Sequence, residues 1–253
     1  MRVGDYISRI GIADAQIRPD IGTLMRLQRE HLMNVPFENL DIHWNRPIVL
    51  DEEKFYSKIV SDRRGGFCYE LNGLFNLLLR NMGFQTRLIS ARVFNGKDFG
   101  PEFDHAAIIV TIGGEEFLAD VGFGAFSAEP LRFALDVEQQ DREGVFVIRS
   151  FDADYFEVGK RSQDVWTPEY IFRDVSRELS EFEEMCDFQQ YSPDSHFKKG
   201  KLCSIMTASG RKTLTDKAFV VTENGRKNEA PVNSESEFYD LLEREFRIAP
   251  ARA

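Results

Sequence analysis

The sequence predicts an α+β fold in which a helical region, a mostly β region and a mixed region follow one another along the chain. Apolar residues recur at helical spacing in residues 1–84, whereas short runs of β-branched and aromatic residues become frequent after that point. Beyond residue 190, short strand patterns lead to a last amphipathic helix. We therefore divide the chain into residues 1–84, 85–190 and 191–253.

Two helices are the clearest predictions in the first region. The apolar residues of 21–32 follow one helical face. From Phe67 to Met82 apolar residues recur every three or four positions, and Gly83 stands where a helix is often terminated. The segment 67–82 is therefore predicted to be a long amphipathic helix.

The second region is predicted to form a barrel or a curved sheet, because its strand-like runs are short and closely spaced. The predicted strands are 86–94, 105–112, 115–121, 145–150, 155–158 and 165–172. The elements predicted after them are a helix over 180–190, a polar loop over 192–201, strands over 202–207 and 218–222, and a helix over 235–246.

Composition indicates an ordinary globular protein and excludes several classes. The chain has 253 residues, of which 42% are hydrophobic and 29% charged, with a net charge of −10. This charge repels nucleic acid, and the apolar runs are far shorter than the roughly 20 residues that span a bilayer. The first residues lack the apolar stretch of a signal peptide, and the 3 cysteines form no disulfide pattern. We expect a cytoplasmic protein with reduced thiols that binds neither nucleic acid nor membranes.

Cys68 is the candidate nucleophile. Gly65 and Gly66 deliver the chain into the first turn of the predicted helix 67–82, which places Cys68 at the helix N-terminus. Unpaired N–H groups and the helix dipole at that end favour a thiolate, so we expect the pKa of the thiol to lie below about 8.5. The alternative is a small apolar residue beside a glycine turn.

A predicted hairpin brings His105 and Asp120 together. The glycines at 113 and 114 predict a tight turn between strands 105–112 and 115–121. In that register Ala107 opposes Asp120, and His105 lies on the same sheet face, diagonal to the carboxylate. The aspartate can then orient the imidazole, which keeps one nitrogen to accept a thiol proton. The alternative is an ion pair on the surface of a hairpin.

Four segments resemble motifs of the arylamine N-acetyltransferases. Residues 64–72, with Cys68 at their centre, resemble the nucleophile motif of that family. Asp104 and His105 before an apolar strand resemble its histidine block, 120–124 resembles its aspartate block, and 35–41 resembles an upstream motif. The resemblance is specific from about residue 10 to 135 and continues more weakly through 192–197.

The resemblance implies the fold and the chemistry of this family. It implies an N-terminal helical bundle, a central β-barrel and a C-terminal α/β lid, with a cysteine-protease-like core. It also implies a triad of Cys68, His105 and Asp120. In a ping-pong reaction typical of xenobiotic metabolism, Cys68 would take an acetyl group from acetyl-CoA and pass it to an aromatic amine or hydrazine. Amide synthases and enzymes for longer acyl-CoA donors share these motifs, so donor and acceptor remain open.

The resemblance also implies binding residues. The acceptor would lie against an apolar wall formed by Phe37, Val93, Phe123 and Phe197. Core packing is the alternative for each of these four side chains. Gly122 and Gly124 would offer N–H groups to the diphosphate of coenzyme A, although a strained turn explains these glycines equally well. Arg64 is expected to support the site through a buried ion pair.

Two other functions remain open on the sequence alone. A Cys/His/Asp hydrolase or transglutaminase-like enzyme would resolve the acyl-enzyme with water or lysine. A module that binds coenzyme A or an amine without catalysis is the second alternative. We predict a monomer or weak homo-oligomer without metal or prosthetic group, because His31, His43 and His196 occupy no ligand spacing. Cys186 and Cys203 have no glycine turn or histidine beside them and are expected to be inert.

Overall fold

Helices form most of the chain before Gln85 in the computed structural model of the protein, which describes residues 1–13, 18–162 and 165–249. Both helices predicted in this region are present. The elements are α1 (Val3–Arg9), α2 (Ile21–Asn34), strand β1 (Phe37–Glu38), α3 (Leu40–His43), α4 (Glu52–Tyr56), a π-helical turn (Ser57–Ser61) and α5 (Cys68–Asn81).

Eight antiparallel strands form one sheet in the order β5–β4–β3–β2–β9–β8–β7–β6. Their bounds are β2 Gln85–Val93, β3 His105–Ile112, β4 Glu115–Ala119, β5 Leu131–Arg132, β6 Gln139–Asp141, β7 Gly144–Ser150, β8 Phe156–Ser162 and β9 Val165–Phe172. The two edge strands meet, because the Gln139 side chain bonds the backbone N–H and C=O of Arg132 at 2.6 and 2.9 Å. The sheet is therefore a nearly closed barrel, as predicted.

The two faces of this sheet bury different cores, because side chains alternate along each strand. Ile89 of β2 and Ala107 of β3 point into the barrel, beside Phe146 and Tyr170. The opposite face of β2 and β3 packs on α5, a helix whose first eight residues, 68–75, are all buried. Because α5 is buried between the helices and the barrel, Cys68, its first residue, lies in the interior of the protein.

The hairpin between β3 and β4 has the predicted register. Gly113 and Gly114 both have positive φ, 60° and 87°, as a two-residue turn of this kind requires. Residues before and after the turn oppose each other in the expected pairs, from Ile112 and Glu115 to Ile108 and Ala119. This register places Asp120 directly after the end of β4 and close to the start of β3.

A second sheet joins the start of the chain to its end, in the order β1–β10–β11–β12–β13. Its later strands are β10 Leu202–Thr207, β11 Gly210–Thr215, β12 Ala218–Glu223 and β13 Arg226–Pro231. Helix α7 (Glu235–Phe246) covers one face of this sheet over Cys203 and Leu214. Phe37 of β1 pairs with Ser204 of β10, and the side chains of both lie on the other face of the sheet, next to the nucleophile region.

Several boundaries differ from the predictions, for local reasons. The strand predicted over 115–121 ends at Ala119, because the Asp120 carboxylate binds the Gly122 N–H and turns the chain. The helix predicted over 180–190 is a 3₁₀ turn (Leu179–Phe182) followed by α6 (Glu183–Tyr191). Strands β1, β5, β6, β11 and β13 were missed, being very short or rich in polar residues. The division into regions at 84 and 190 stays a prediction.

Candidate active site

Cys68 begins α5 directly after the loop that contains Gly65 and Gly66. A Cβ atom on Gly65 would lie 2.0 Å from the Pro36 carbonyl oxygen, so only glycine fits there. The loop is fixed to β1 by a 2.8 Å hydrogen bond from the Glu38 N–H to the Gly66 carbonyl oxygen. The nucleophile candidate is therefore held between a buried helix and a strand.

A buried ion cluster supports this loop from behind. Arg64 contacts Glu38 at 2.5 Å and Asp41 at 2.8 Å, which agrees with the ion pair expected from the sequence. Lys58 adds contacts to Asp41 at 2.7 Å and to Glu70 at 2.8 Å. Each charge in the cluster has an opposite charge beside it, as burial of ions requires. The cluster joins the π-helical turn, β1, α3 and α5 into one support for Cys68.

His105 and Asp120 form the contact that the hairpin register predicts. His105 Nε2 donates to Asp120 Oδ2 at 2.7 Å, and both side chains are almost completely buried. Because a carboxylate accepts this bond, Nε2 carries the proton and Nδ1 is left as an acceptor. The Tyr170 hydroxyl also donates to Oδ2, at 3.2 Å. The imidazole is thus fixed in orientation and in tautomer.

Asn72 is a further site residue that the sequence reasoning assigned no role. Its Nδ2 donates to Asp120 Oδ1 at 2.8 Å and to the Ala106 carbonyl oxygen at 2.6 Å, and its Oδ1 accepts the Val121 N–H at 2.9 Å. Asn72 lies four residues after Cys68 and hence on the same side of α5. That spacing is the signal that would have identified it. Asn72 connects the nucleophile helix to strand β3 and to the segment that directly follows β4.

The pKa of Cys68 differs from the prediction. Burial raises the pKa of the thiol well above its ordinary value, and the charges of Asp104 and Cys186 raise it further, against a hydrogen bond from the Ala106 backbone. The prediction that the helix N-terminus would lower this pKa is wrong. The Glu70 carboxylate already occupies that end, accepting the Phe67 N–H at 3.1 Å. The thiol therefore needs a proton acceptor, and His105, which directly precedes Ala106, lines the same cavity as Cys68.

One cavity of about 760 Å³ collects the predicted residues. Cys68 and His105 both line it, and Asp120 lies behind His105. The remaining predicted residues on its wall are Phe37, Val93, Phe123, Phe197, Gly122 and Gly124. The four apolar side chains are only partly buried, which fits a cavity wall better than core packing. The volume lies in the range of ligand pockets in proteins.

Gly122 lies in the wall of the cavity and follows Asp120 by two residues. Its N–H donates to Asp120 Oδ1 at 2.9 Å, and the contact of Gly122 with coenzyme A stays a prediction. A Cβ on Gly122 would lie 2.9 Å from the Cys68 Cα, which shows how closely the loop packs on α5. Gly124, with φ of 86°, lines the cavity, and its contact with coenzyme A stays a prediction.

The other two cysteines are buried. Burial raises the pKa of Cys186 to about 12 and that of Cys203 well above its ordinary value. Within residues 1–13, 18–162 and 165–249, no group of three His, Cys, Asp or Glu side chains is placed to hold a metal ion. In the same part of the chain, every helix is too short or too polar to cross a membrane.

Known proteins with similar sequences and structures share one activity. A family model described as N-acetyltransferase matches residues 20–252. An arylamine N-acetyltransferase of Mycolicibacterium smegmatis is 31% identical to this chain, over 98% of it and 92% of the relative. A solved M. smegmatis arylamine N-acetyl transferase has a TM-score of 0.91 at 30% identity, over 98% of this chain and 92% of that one. The Mycobacterium marinum enzyme, solved in complex with CoA, has a TM-score of 0.90 at 26% identity, over 98% and 93%.

A cysteine and an aspartate-bound histidine on one cavity, between helices and a nearly closed barrel, define an acyltransferase with a cysteine-protease-like core. Because the family model and the M. smegmatis relative cover nearly the whole chain, the protein belongs to the arylamine N-acetyltransferase family. The predicted α+β fold, the family and the acyltransferase activity are confirmed.

Proposed function

We propose that the protein transfers the acetyl group of acetyl-CoA to an aromatic amine or hydrazine, through a thioester on Cys68. The observation that carries this proposal is the shared cavity of Cys68 and His105, with His105 bound to Asp120 at 2.7 Å. Nucleophile, base and orienting carboxylate are the three parts that cysteine-based acyl transfer needs.

In the first half-reaction, His105 Nδ1 takes the proton of the Cys68 thiol. The thiolate attacks the thioester carbonyl, and the tetrahedral intermediate collapses to acetyl-Cys68. The imidazolium returns its proton to the departing thiolate of coenzyme A. Because burial holds the resting thiol protonated, the proton transfer to His105 is the step that creates the nucleophile. The charge pair it forms is stabilised by Asp120.

In the second half-reaction, the amine attacks acetyl-Cys68 and loses a proton to His105. The intermediate collapses to the amide, and Cys68 leaves as a thiolate that recovers the proton. Exchange of one thioester for another is nearly isoenergetic, so formation of the amide makes the cycle favourable. A wall of partly buried aromatic side chains favours a flat amine over water at this stage.

The acceptor is proposed to bind against Phe37, Phe123 and Phe197, with Val93 beside them. The rings of Phe37 and Phe197 lie 6.1 Å apart, and Phe123 lies edge-on to His105 at 5.1 Å. The donor would approach along Gly124. An aromatic amine bound in this way would lie next to the imidazole that must remove its proton.

The setting of the enzyme is proposed from its composition. We propose a cytoplasmic monomer or weak homo-oligomer that uses no metal and binds no nucleic acid. Three buried free cysteines agree with a reducing compartment, and the net charge of −10 agrees with the lack of a polyanionic partner. The three-region division remains the proposed domain organisation.

Mass spectrometry of the acetylated protein tests the proposal. After incubation with acetyl-CoA and removal of excess donor, we expect one acetyl group on the peptide that contains Cys68. Adding an aromatic amine should remove that group and yield the amide. Cys68→Ala should abolish both steps, whereas Cys186→Ala should retain them. Release of the acetyl group at the same rate with and without the amine would instead identify a hydrolase, and no acetylation would leave a binding module.

A further inference from the structure

Arg211 is a charged side chain in the wall of the active-site cavity, and it has no counterion there. Within the described ranges 1–13, 18–162 and 165–249, no carboxylate lies within 4 Å of its guanidinium nitrogens. Its Nη1 donates to Ser204 Oγ at 3.3 Å, and its Nε and Nη2 are buried without an acceptor. The carboxylate of Glu143, whose charge raises the pKa of Arg211, pairs with Arg142 at 3.5 Å.

The position of Arg211 follows from the strand register. Ser204 of β10 opposes Thr213 of β11, and Arg211 lies two residues before Thr213, hence on the same face. The other face of these strands carries Cys203 and Leu214, which pack under α7. The face that borders the cavity is thus polar at Arg211, Ser204 and Thr213, and Phe37 of the neighbouring strand β1 lies beside Ser204.

A partly buried arginine without a counterion destabilises the folded protein unless a bound ligand supplies the missing hydrogen-bond acceptors. A charge removed from water without a partner destabilises the folded protein, and burial lowers the pKa of Arg211 accordingly. Guanidinium groups pair best with planar anions such as carboxylates, to which they donate two parallel hydrogen bonds. The guanidinium of Arg211 therefore suits an anion of a size that the cavity can admit.

We propose that Arg211, with the hydroxyl groups of Ser204 and Thr213, binds the carboxylate of an acidic aromatic amine, of the aminobenzoate class. This inference rests on the proposed function and names its acceptor. Arg211 would be a specificity-determining residue, and the two hydroxyl groups, now 2.9 Å apart, would turn to donate to the same carboxylate.

The strand geometry favours the acceptor over the donor as the source of the anion. Gly66 bridges to Phe37 of β1, and Phe37 pairs with Ser204, the hydrogen-bond partner of Arg211. At about 4.8 Å per strand, Ser204 is roughly 10 Å from the loop that carries Cys68. A benzene ring with an amine and a carboxylate at opposite ends has a length of this order. The diphosphate of coenzyme A is separated from its sulfur by the whole pantetheine arm.

Steady-state kinetics with two matched acceptors test the inference. 4-Aminobenzoate and 4-methylaniline differ in the carboxylate, and the variants are Arg211→Gln, Arg211→Lys and the control Arg226→Gln, on the exposed strand β13. For Arg211→Gln we expect KM for 4-aminobenzoate to rise about tenfold or more, since a charged hydrogen bond is lost. Its KM for 4-methylaniline and for acetyl-CoA should change less than twofold. Arg211→Lys should recover part of the loss, and Arg226→Gln should match the unaltered protein.

Three results would overturn the inference. Equal losses with both acceptors would make Arg211 a structural residue, a rise confined to KM for acetyl-CoA would assign it to the donor, and no change would leave it without a role in binding. Benzoate binding, measured by calorimetry on the unaltered protein and Arg211→Gln, does not depend on turnover. Weaker benzoate binding by the variant supports the anion site even if neither amine is acetylated, a result that would refute only the proposed function.

Discussion

The two polar walls of the cavity differ in how completely their hydrogen bonds are made. On the α5 and barrel side, the Asp120 carboxylate accepts bonds from His105, Tyr170, Asn72 and the Gly122 N–H. On the side formed by β10 and β11, the bond from Arg211 to the Ser204 hydroxyl group is long, and within the described part of the chain its other nitrogens have no acceptor. The first wall is complete without a ligand and suits a reaction that needs a fixed imidazole. The second is incomplete and suits recognition of a substrate.

Removing the charge of Asp120 should lower activity more than any other change considered below, because four hydrogen bonds of the first wall converge on this carboxylate. In Asp120→Asn, the amide can present an N–H where His105 Nε2 now donates, which favours the wrong imidazole tautomer. We expect kcat to fall about 10³-fold to 10⁴-fold with 4-methylaniline. The rate at which Cys68 is acetylated, measured by rapid-quench mass spectrometry, should fall by a similar factor. Retention of more than a tenth of the activity in a folded variant would show that Asp120 does not orient the base.

The ion cluster behind Cys68 is a second group of buried polar side chains that partner one another, and removing one of its charges should destabilise the folded protein. Arg64→Met leaves the buried carboxylates of Glu38 and Asp41 with Lys58 alone, so the free energy of unfolding should fall by about 3–5 kcal/mol. Arg132→Met, which removes a largely exposed contact with Glu115, should cost less than about 1 kcal/mol. Urea denaturation measures both. Similar losses in the two variants would mean that burial of the cluster is not what makes it important.

Asn72 joins the nucleophile helix α5 to the hydrogen bonds around Asp120. Removing its side chain should loosen the position of Cys68 relative to His105. In Asn72→Ala, we expect kcat/KM to fall about 10-fold to 100-fold, because His105 and Cys68 lose a shared support. Asn76, one turn further along α5, accepts a bond from the Thr86 hydroxyl group and serves as the control. If Asn76→Ala lowers kcat/KM as much, the effect comes from the helix in general.

His31 offers a smaller test, as a buried polar group that lacks partners and lies away from the cavity. Among the residues that the structure describes, neither of its ring nitrogens has a hydrogen-bond partner. Burial, with the charge of Arg9, lowers its pKa to about 3. The unfolded chain binds a proton on this histidine below about pH 6.5 while the folded protein does not, so stability is lost as the pH falls from 6.5 towards 3. This contribution is fully present above pH 6.5.

Comparing the unaltered protein with His31→Phe isolates that contribution. At pH 5.5 the unaltered protein should have lost about 1.4 kcal/mol of unfolding free energy, relative to pH 7.5, that the variant retains. Chemical denaturation at the two pH values measures the difference. Identical pH dependence in both proteins would show that His31 is protonated within the fold. Packing differences between the side chains cancel, because they do not depend on pH.

The sequence by itself determined the features that depend on neighbouring residues. The turn at Gly113 and Gly114 set the hairpin register, and alternation along the strands then placed His105 and Asp120 on one face. Helical periodicity placed Cys68 at the start of α5. Such features are local because turn geometry and side-chain periodicity are fixed by a few consecutive residues.

Tertiary structure alone decided the properties that depend on what distant segments bring together. Desolvation, which raises the pKa of Cys68, comes from the helices and the barrel packed around it, and it outweighs the helix end that the sequence shows. The use of the Gly122 N–H by Asp120, the bridging role of Asn72 and the uncompensated charge of Arg211 likewise appear only after packing. Burial and hydrogen-bond satisfaction are sums over spatial neighbours, and sequence spacing does not contain that information.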